Sequence, residues 1–226
     1  MQVSEIFHTL QGEGYTVGKP AIFVRLGMCN LHCSWCDTPY CWKEGEEDYS
    51  DQKNKRVVED ISDYLNEFPN TKIIVWTGGE PLMQQQDIIG ISEWLRIKYC
   101  DRDLEFEVET NGTIPPNDHL DGIIDRYNCS PKLSNSGNNP YTPRFKDFIH
   151  KTTFKYVVAD EKDCMEVVKE IERCEFPRDK CMFMVMGTTR EEMIEKGLEI
   201  AEISKDTGIP ICIRLQCLLW GAKRRV

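Results

Sequence analysis

A chain of 226 residues with 40% hydrophobic and 29% charged side chains has room for one large α/β domain. No stretch nears the roughly 20 apolar residues that cross a bilayer, so a soluble protein without a membrane partner is expected. The formal net charge of -10 argues against a nucleic-acid partner, because neutralising phosphates takes a clustered basic surface. The 11 cysteines, with no apolar secretory segment at the start, lead us to expect free thiols in a reducing cytoplasm.

The opening segment, VSEIFHTLQGEGYTVGKPAIFVRLG, reads as a strand, a glycine-rich turn and a second strand, AIFVRL being an apolar run between Pro20 and Gly27. In the turn, Gly12 and Gly14 serve either the bend alone or a close ligand approach. Gln11 and Glu13 add an amide and a carboxylate suited to reading a polar heterocycle. Arg25 interrupts the apolar strand, where a charge is costly unless paired. Its partner is either an internal carboxylate, Glu5 or Glu13, or the carboxylate of a substrate gripped bidentately.

Cys29, Cys33 and Cys36 follow in CNLHCSWCDT. Three closely spaced thiolates can hold an iron–sulfur cluster, and with one ligand missing they leave one iron open to bind something else. A single zinc ion, a disulfide with a spare thiol, and a four-cysteine electron-transfer site closed by Cys41 are the alternatives. Thr38 either caps a turn or offers a hydroxyl to a hard cation such as magnesium. Gly45 to Asn54 is polar and acidic and suggests an exposed insertion.

From there strand and helix alternate. Val57, Val58, Ile61, Tyr64, Leu65 and Phe68 recur at helical spacing before Pro69. KIIVWT (Lys72 to Thr77) is a strand ending at Gly78 and Gly79, and Ile88 to Leu95 marks the next helix. EFEVET (Glu105 to Thr110), IID near Ile123, FKYVVA at Phe154, a helix near Val167, MFMVM at Met182, a helix from Glu191 to about Ile203 and ICIRL at Ile211 continue the series. That order implies right-handed crossovers and a mainly parallel sheet, which gathers polar motifs at the carboxyl ends of its strands. TGGEP (Thr77 to Pro81), ETNG (Glu109 to Gly112), SPK (Ser130 to Lys132) and the thiol loop all fall there. LSNSGNNPYTP (Leu133 to Pro143) is the candidate mobile loop. The histidines, His8, His32, His119 and His150, show no mutual ligand spacing, and Trp76, Trp94 and Trp220 fit apolar patterns and are expected in the core. Arg214, Lys223, Arg224 and Arg225 make a basic end that either faces an anion or is simply solvated.

The C-x3-C-x2-C triplet with Trp35 before its last cysteine resembles the signature of the radical S-adenosylmethionine superfamily, and TGGEP is similar to that superfamily's second motif. There the three cysteines hold a [4Fe-4S] cluster and S-adenosylmethionine ligates the fourth iron. LQGEG followed by a Phe-Val-Arg-Leu strand, CDT at Cys36 to Thr38, ETNG and SPK together look like the 7-carboxy-7-deazaguanine synthase family, over nearly the whole chain. The resemblance implies one domain over 1–226, an incomplete TIM-like barrel of mainly parallel strands with a reduced set of helices, and a tail (about 214–226) that closes the substrate pocket. It implies conversion of 6-carboxy-5,6,7,8-tetrahydropterin to 7-carboxy-7-deazaguanine with loss of ammonia. Cleavage of S-adenosylmethionine to methionine and a 5'-deoxyadenosyl radical would start it, magnesium would assist, and reduced flavodoxin or ferredoxin would supply the electron. A homodimer is the implied assembly.

Position by position, the resemblance assigns Cys29, Cys33 and Cys36 to the cluster and Thr38 to magnesium. It assigns Leu10, Gln11, Gly12, Glu13, Arg25, Thr77, Gln216 and Val226 to the substrate, and Trp35, Cys36, Asp37, Gly79, Glu80, Glu109, Ser130, Pro131 and Lys132 to S-adenosylmethionine. Gln216 stands where family members often carry histidine, and it can hydrogen-bond but cannot take up a proton. Rival readings are a glycyl-radical activating enzyme and a non-enzymatic iron–sulfur electron carrier.

Overall fold

A computed structural model describes residues 1–46, 56–221 and 223–225. Most of the expected Gly45–Asn54 insertion, and Val226, lie outside the described residues. Eight strands form one sheet in chain order: β1 (Val3–Leu10), β2 (Pro20–Leu26), β3 (Ile73–Gly78), β4 (Glu105–Thr110), β5 (Arg126–Cys129), β6 (Thr152–Val158), β7 (Cys181–Val185) and β8 (Ile211–Cys212). The first pair is antiparallel and every later pair parallel. Among the described residues no pairing joins β8 back to β1, so the barrel is incomplete. Six α-helices accompany the eight strands among these residues: α1 (Val57–Glu67), α2 (Gln85–Lys98), α3 (Asp118–Ile123), α4 (Glu161–Cys174), α5 (Arg190–Thr207) and α6 (Leu215–Trp220). No helix among them is long and apolar enough to cross a membrane.

Period-two alternation in the strands decides where the chemistry goes. Ile22, Val24 and Leu26 of β2, Ile74 and Trp76 of β3, Phe106 and Val108 of β4, and Phe154, Tyr156 and Val158 of β6 join one continuous core with Ile61 and Leu65 of α1, Ile88 and Leu95 of α2, and Val167 and Ile171 of α4. The intervening residues face the barrel interior. Near the amino ends of β2 and β3 these form a small apolar plug of Ala21, Phe23, Ile73 and Val75, with Phe7 against it. Toward the carboxyl ends they become Arg25, Thr77, Glu109, Asn128 and Lys155, which line a cavity.

The helix and strand expectations hold with two corrections, and two of the tryptophans depart from the expected core. IID near Ile123 is the end of α3 and the approach to a strand; β5 begins only at Arg126, because Asn117 caps a short helix there through the Leu120 amide (2.9 Å). ICIRL gives just two strand residues before the chain turns into α6, since Arg214 and Leu215 are drawn to the Gly12–Glu13 turn. Trp76 is wholly buried and donates to Ser92 (3.1 Å), but Trp94 is 41% exposed, its ring covered by the Lys98 ammonium at 4.6 Å. Trp220 is only half-buried. The Leu133–Pro143 segment is braced by its own polar side chains, for Asn135 binds the Val157 carbonyl and Asp163, and the Tyr141 hydroxyl donates to the Asn111 carbonyl (2.6 Å).

Gly78 and Gly79 answer to the protein's own backbone. A Cβ on Gly78, whose φ is +129°, would sit 2.1 Å from the Leu26 carbonyl oxygen, and one on Gly79 would sit 1.9 Å from that of Met28. Their absence lets the end of β3 lie against the start of the thiol loop, where the Gly79 amide donates to Leu26 (3.1 Å) and the Glu80 amide to Met28 (2.8 Å). Gly78→Ala is therefore expected to lower the stability of the apo protein by roughly 2–4 kcal/mol. Gly90→Ala, at an exposed helical site with open space around it, should raise stability by about 0.5–1 kcal/mol. Urea unfolding of the two variants checks both signs.

Candidate active site

The carboxyl ends of β2 to β7 open into one cavity of about 550 Å³. Cys29, Cys33, Cys36, Leu10, Gln11, Gly12, Glu13, Arg25, Trp35, Asp37, Thr38, Thr77, Gly79, Glu109, Ser130, Lys132 and Gln216 all line it. Glu80 and Pro131, both expected at the cofactor, do not. Glu80 is wholly buried and turned inward, accepting from the Leu82 amide (2.9 Å), the Thr110 hydroxyl (2.8 Å) and the Asn111 amide (2.7 Å). It staples β3 to the end of β4, and burial raises its carboxyl above the ordinary range despite those donors. Pro131 is buried behind the rim.

Each of the three loop sulfurs meets an N–H donor. The Leu31 amide points at Cys29 (3.5 Å), the Asn138 amide side chain at Cys33 (3.2 Å) and the Trp42 indole at Cys36 (3.4 Å). Such donors favour sulfur carrying negative charge, as a metal-bound thiolate does. Burial nonetheless pushes the Cys29 thiol up to about 11 and the Cys33 thiol upward as well, so loading a metal releases protons. Among the described residues no three His, Cys, Asp or Glu side chains converge on a single ion. Cys29, Cys33 and Cys36 all line the cavity. All the cysteines are free, and Cys41 is buried and does not line the cavity.

The Leu133–Pro143 segment supports this loop from the side. Its Asn135 accepts from the Trp35 indole (3.2 Å), Asn138 accepts from the His32 amide (3.0 Å), and the Ser34 amide donates to the Ser136 carbonyl (2.9 Å). Lys132 donates to Ser130 (2.8 Å) and lies 5.4 Å from the Trp35 ring centre. Thr38 lines the cavity at the N-cap of a 3-10 turn; its side chain makes no capping bond and its hydroxyl lies 3.9 Å from the Cys36 sulfur.

On the opposite wall, charges are paired in two clusters. Arg25 donates through Nε to Glu5 (2.8 Å), one of the two internal partners expected. Glu5 also receives the Tyr40 hydroxyl (3.0 Å), Arg224 (3.1 Å) and Arg225 (2.8 Å). The basic tail thus folds back onto the cavity rim. Burial opposes charge on Glu5, but Arg225, Arg25, Arg224 and Tyr40 outweigh it and hold the carboxyl low.

The second cluster centres on Glu13, which receives Lys155 (2.8 Å), Arg214 (3.1 Å) and Gln216 (2.9 Å). Burial again works against its charge, and Lys155 and Arg214 overcome it, leaving Glu13 well below the ordinary carboxylate range. Because these donors occupy the carboxylate, Glu13 is less available to read a heterocycle than its place in QGEG suggests. Glu109 takes a more central position than expected: it accepts from Gln11 (3.3 Å), Thr77 (3.2 Å) and Lys155 (3.4 Å), grouping it with the substrate candidates. The remaining Gln216 oxygen has no hydrogen-bond partner among the described residues and lies where a Gly12 Cβ would be, 1.7 Å away.

Lys155 is the main residue that sequence reasoning missed. Its signal was the one that marked Arg25, a lone charge inside an apolar strand run, here FKYVVA. Tyr40 and Asn128 also line the cavity, and nothing local to them distinguishes them from ordinary surface residues; Glu5 and Arg214, expected as the Arg25 partner and as part of a basic end, line it too. Of the histidines, His8 stacks on Phe68 and bonds Thr71 (2.8 Å), and His119 bonds Glu93 (2.7 Å), both structural roles.

Residues 24–196 match the family model described as the radical SAM superfamily. A 7-carboxy-7-deazaguanine synthase from Pyrobaculum aerophilum is 36% identical over 226 residues, spanning 99% of this chain and 96% of that protein. One from Aquifex aeolicus is 33% identical, spanning 88% and 83%. Among solved structures, the crystal structure of QueE from Escherichia coli aligns with a TM-score of 0.67 at 22% identity, covering 94% of this chain and 93% of that one, which bears on the fold.

The depressed Glu13 and Glu5 carboxyls set a pH dependence. A folded-state value below the unfolded one adds stability that is present above the unfolded value, about 4.3, and lost as pH falls through the folded value. Urea midpoints of the apo protein should therefore fall between pH 5 and 3. Glu13→Gln, which leaves Lys155 only Glu109 and Arg214 only Asp37 as carboxylate partners, should cost roughly 1.5–3 kcal/mol at pH 7 and flatten that fall.

Proposed function

Because this chain belongs to the radical S-adenosylmethionine superfamily and, within it, to the 7-carboxy-7-deazaguanine synthase family, we propose that its cavity contracts the ring of 6-carboxy-5,6,7,8-tetrahydropterin to 7-carboxy-7-deazaguanine with loss of ammonia, a step toward queuosine-type deazapurines. The observation that carries this reading is the meeting, in one cavity, of a three-thiol wall with a polar wall of Gln11, Arg25, Thr77 and Glu109.

Cys29, Cys33 and Cys36 would hold a [4Fe-4S] cluster, with S-adenosylmethionine beside Trp35, Asp37, Gly79, Ser130 and Lys132. When bound, that pair supplies reversible hydrogen-atom abstraction, chemistry that belongs to the cofactors and that the protein positions. Arg25 takes the substrate carboxylate, its guanidinium already aligned by the Nε bond to Glu5. Gln11, fixed by Glu109 and by the Glu13 amide (3.1 Å), presents the heterocycle with a donor and an acceptor in set directions. Thr77 holds Glu109 in place. Thr38, whose hydroxyl lies 3.9 Å from the Cys36 sulfur and caps no turn, offers that oxygen to magnesium, a hard cation suited to oxygen. Gln216 neutralises nothing and moves no proton; it packs the tail over Gly12 and donates to Glu13.

Two assignments rest on the family resemblance alone, reduced flavodoxin or ferredoxin as electron donor and a homodimer, while a cytoplasmic location rests on the many free thiols. Leu10 and Gly12 supply backbone at the substrate side, where the Gly12 carbonyl is taken by the Leu215 amide (3.0 Å).

Anaerobically reconstituted protein given the carboxypterin, S-adenosylmethionine, magnesium and reductant should form a deazaguanine chromophore. Cys33→Ala should abolish it, and full turnover by that variant would refute the assignment. Thr38→Val should leave the iron content unchanged and weaken the magnesium dependence by roughly tenfold or more, read as turnover against magnesium concentration.

A further inference from the structure

Arg214 belongs to the basic end of the sequence, yet its guanidinium is only 15% exposed and reaches three separate segments. Nε donates to Glu13 in the β1–β2 turn (3.1 Å), one terminal nitrogen donates to the Gly187 carbonyl after β7 (2.8 Å), and the other donates to Asp37 in the thiol loop. The two ends of this bridge differ. Glu13 is fixed by Lys155 and Gln216 as well. Asp37 is 38% exposed, and Arg214 is the sole hydrogen-bond donor to its side chain among the described residues.

Asp37 sits between Cys36 and Thr38, so whatever holds Asp37 holds the last cluster thiol and the hydroxyl on either side of it. Glu13 follows Gln11 and Gly12 on the other wall. A planar guanidinium holds its donors in fixed directions, so when it binds two carboxylates it sets their relative orientation, whereas an ammonium can contact two carboxylates but leaves the angle between them free. We infer that Arg214 is a positioning residue that couples the two halves of the cavity: through one guanidinium it ties the substrate-side turn to the cofactor-side loop, so that filling either half favours filling the other.

This inference rests on the assignment of the pterin to the Gln11–Glu13 side and of S-adenosylmethionine to the Trp35–Asp37 side. The physical basis is shared ordering. A ligand that immobilises one end of the bridge also restricts the other, and the second ligand then has less freedom left to remove. By linkage the effect is reciprocal, so the pterin must tighten S-adenosylmethionine by the same factor that S-adenosylmethionine tightens the pterin.

The test uses full-length, cluster-reconstituted protein without reductant, so that no turnover occurs. Affinity for S-adenosylmethionine is titrated with and without saturating 6-carboxy-5,6,7,8-tetrahydropterin. In the unaltered protein the pterin should tighten S-adenosylmethionine by roughly fivefold or more. In Arg214→Gln, and in Arg214→Lys, which keeps the charge but not the fork, the factor should fall toward one. Asp37→Asn cuts the bridge at its exposed end, where loss of folding is not expected, and should give the same loss. Combining it with Arg214→Gln should reduce the factor no further. Retention of the full factor in Arg214→Gln or in Asp37→Asn would overturn the inference. Absence of any factor in an unaltered protein that still converts the carboxypterin would overturn it too. Failure of that protein to bind or convert the carboxypterin would instead bring down the assignment beneath it.

Discussion

Burying the Lys155 ammonium inside the barrel is the constraint from which the rest of the site follows. Its side chain is 2% exposed on an interior-facing position of β6, where an unpaired cation would be prohibitive. Glu13 and Glu109 answer it from the β1–β2 turn and the end of β4 and hold its proton more tightly than usual. Arg214 and Gln216 then satisfy the rest of Glu13. One buried charge therefore fixes the glycine-rich turn, the floor of the cavity and the start of the C-terminal segment. Replacing such a cluster with apolar side chains need not destabilise a fold. Its value here is positional, since it leaves Gln11, Thr77 and Glu109 held in set directions.

The parallel sheet does the gathering. Because β2 to β8 run the same way, the segments that follow them emerge on one rim, and the thiol loop, the Gly78–Gly79 step, the Asn111 turn and the Ser130–Lys132 run become neighbours. That rim divides into two walls. On one, backbone and amide donors face sulfur; on the other, carboxylates are saturated by guanidinium and ammonium groups. The tail adds Arg224 and Arg225 to Glu5, and Arg224 lies 3.7 Å from the Tyr40 ring centre.

Local patterns made much of this legible. The Cys29–Cys36 spacing, the alternation of strand and helix and the charge of Arg25 in an apolar run are properties of a few adjacent residues, and the structure places them as those patterns imply. What the sequence concealed depends on distant partners. Glu80 turns inward because Thr110 and the Asn111 amide wait for it thirty residues on. ICIRL stops being a strand because the Gly12 carbonyl captures Leu215. LSNSGNNPYTP has a loop's composition, but its asparagines find the thiol loop and are held there. Glu13 looked like a ligand-reading group because Lys155 and Arg214, 142 and 201 positions away, could not be seen beside it.

The central claim is that three thiols hold the cluster and that the neighbouring space, not a fourth cysteine, completes it. Electron paramagnetic resonance of the reduced, reconstituted Cys41→Ala protein, recorded before and after adding S-adenosylmethionine, tests it most directly. The expected result is a full [4Fe-4S] signal that shifts when S-adenosylmethionine is added, as in the unaltered chain. A variant that fails to hold the cluster, or a signal indifferent to S-adenosylmethionine in both proteins, would contradict it.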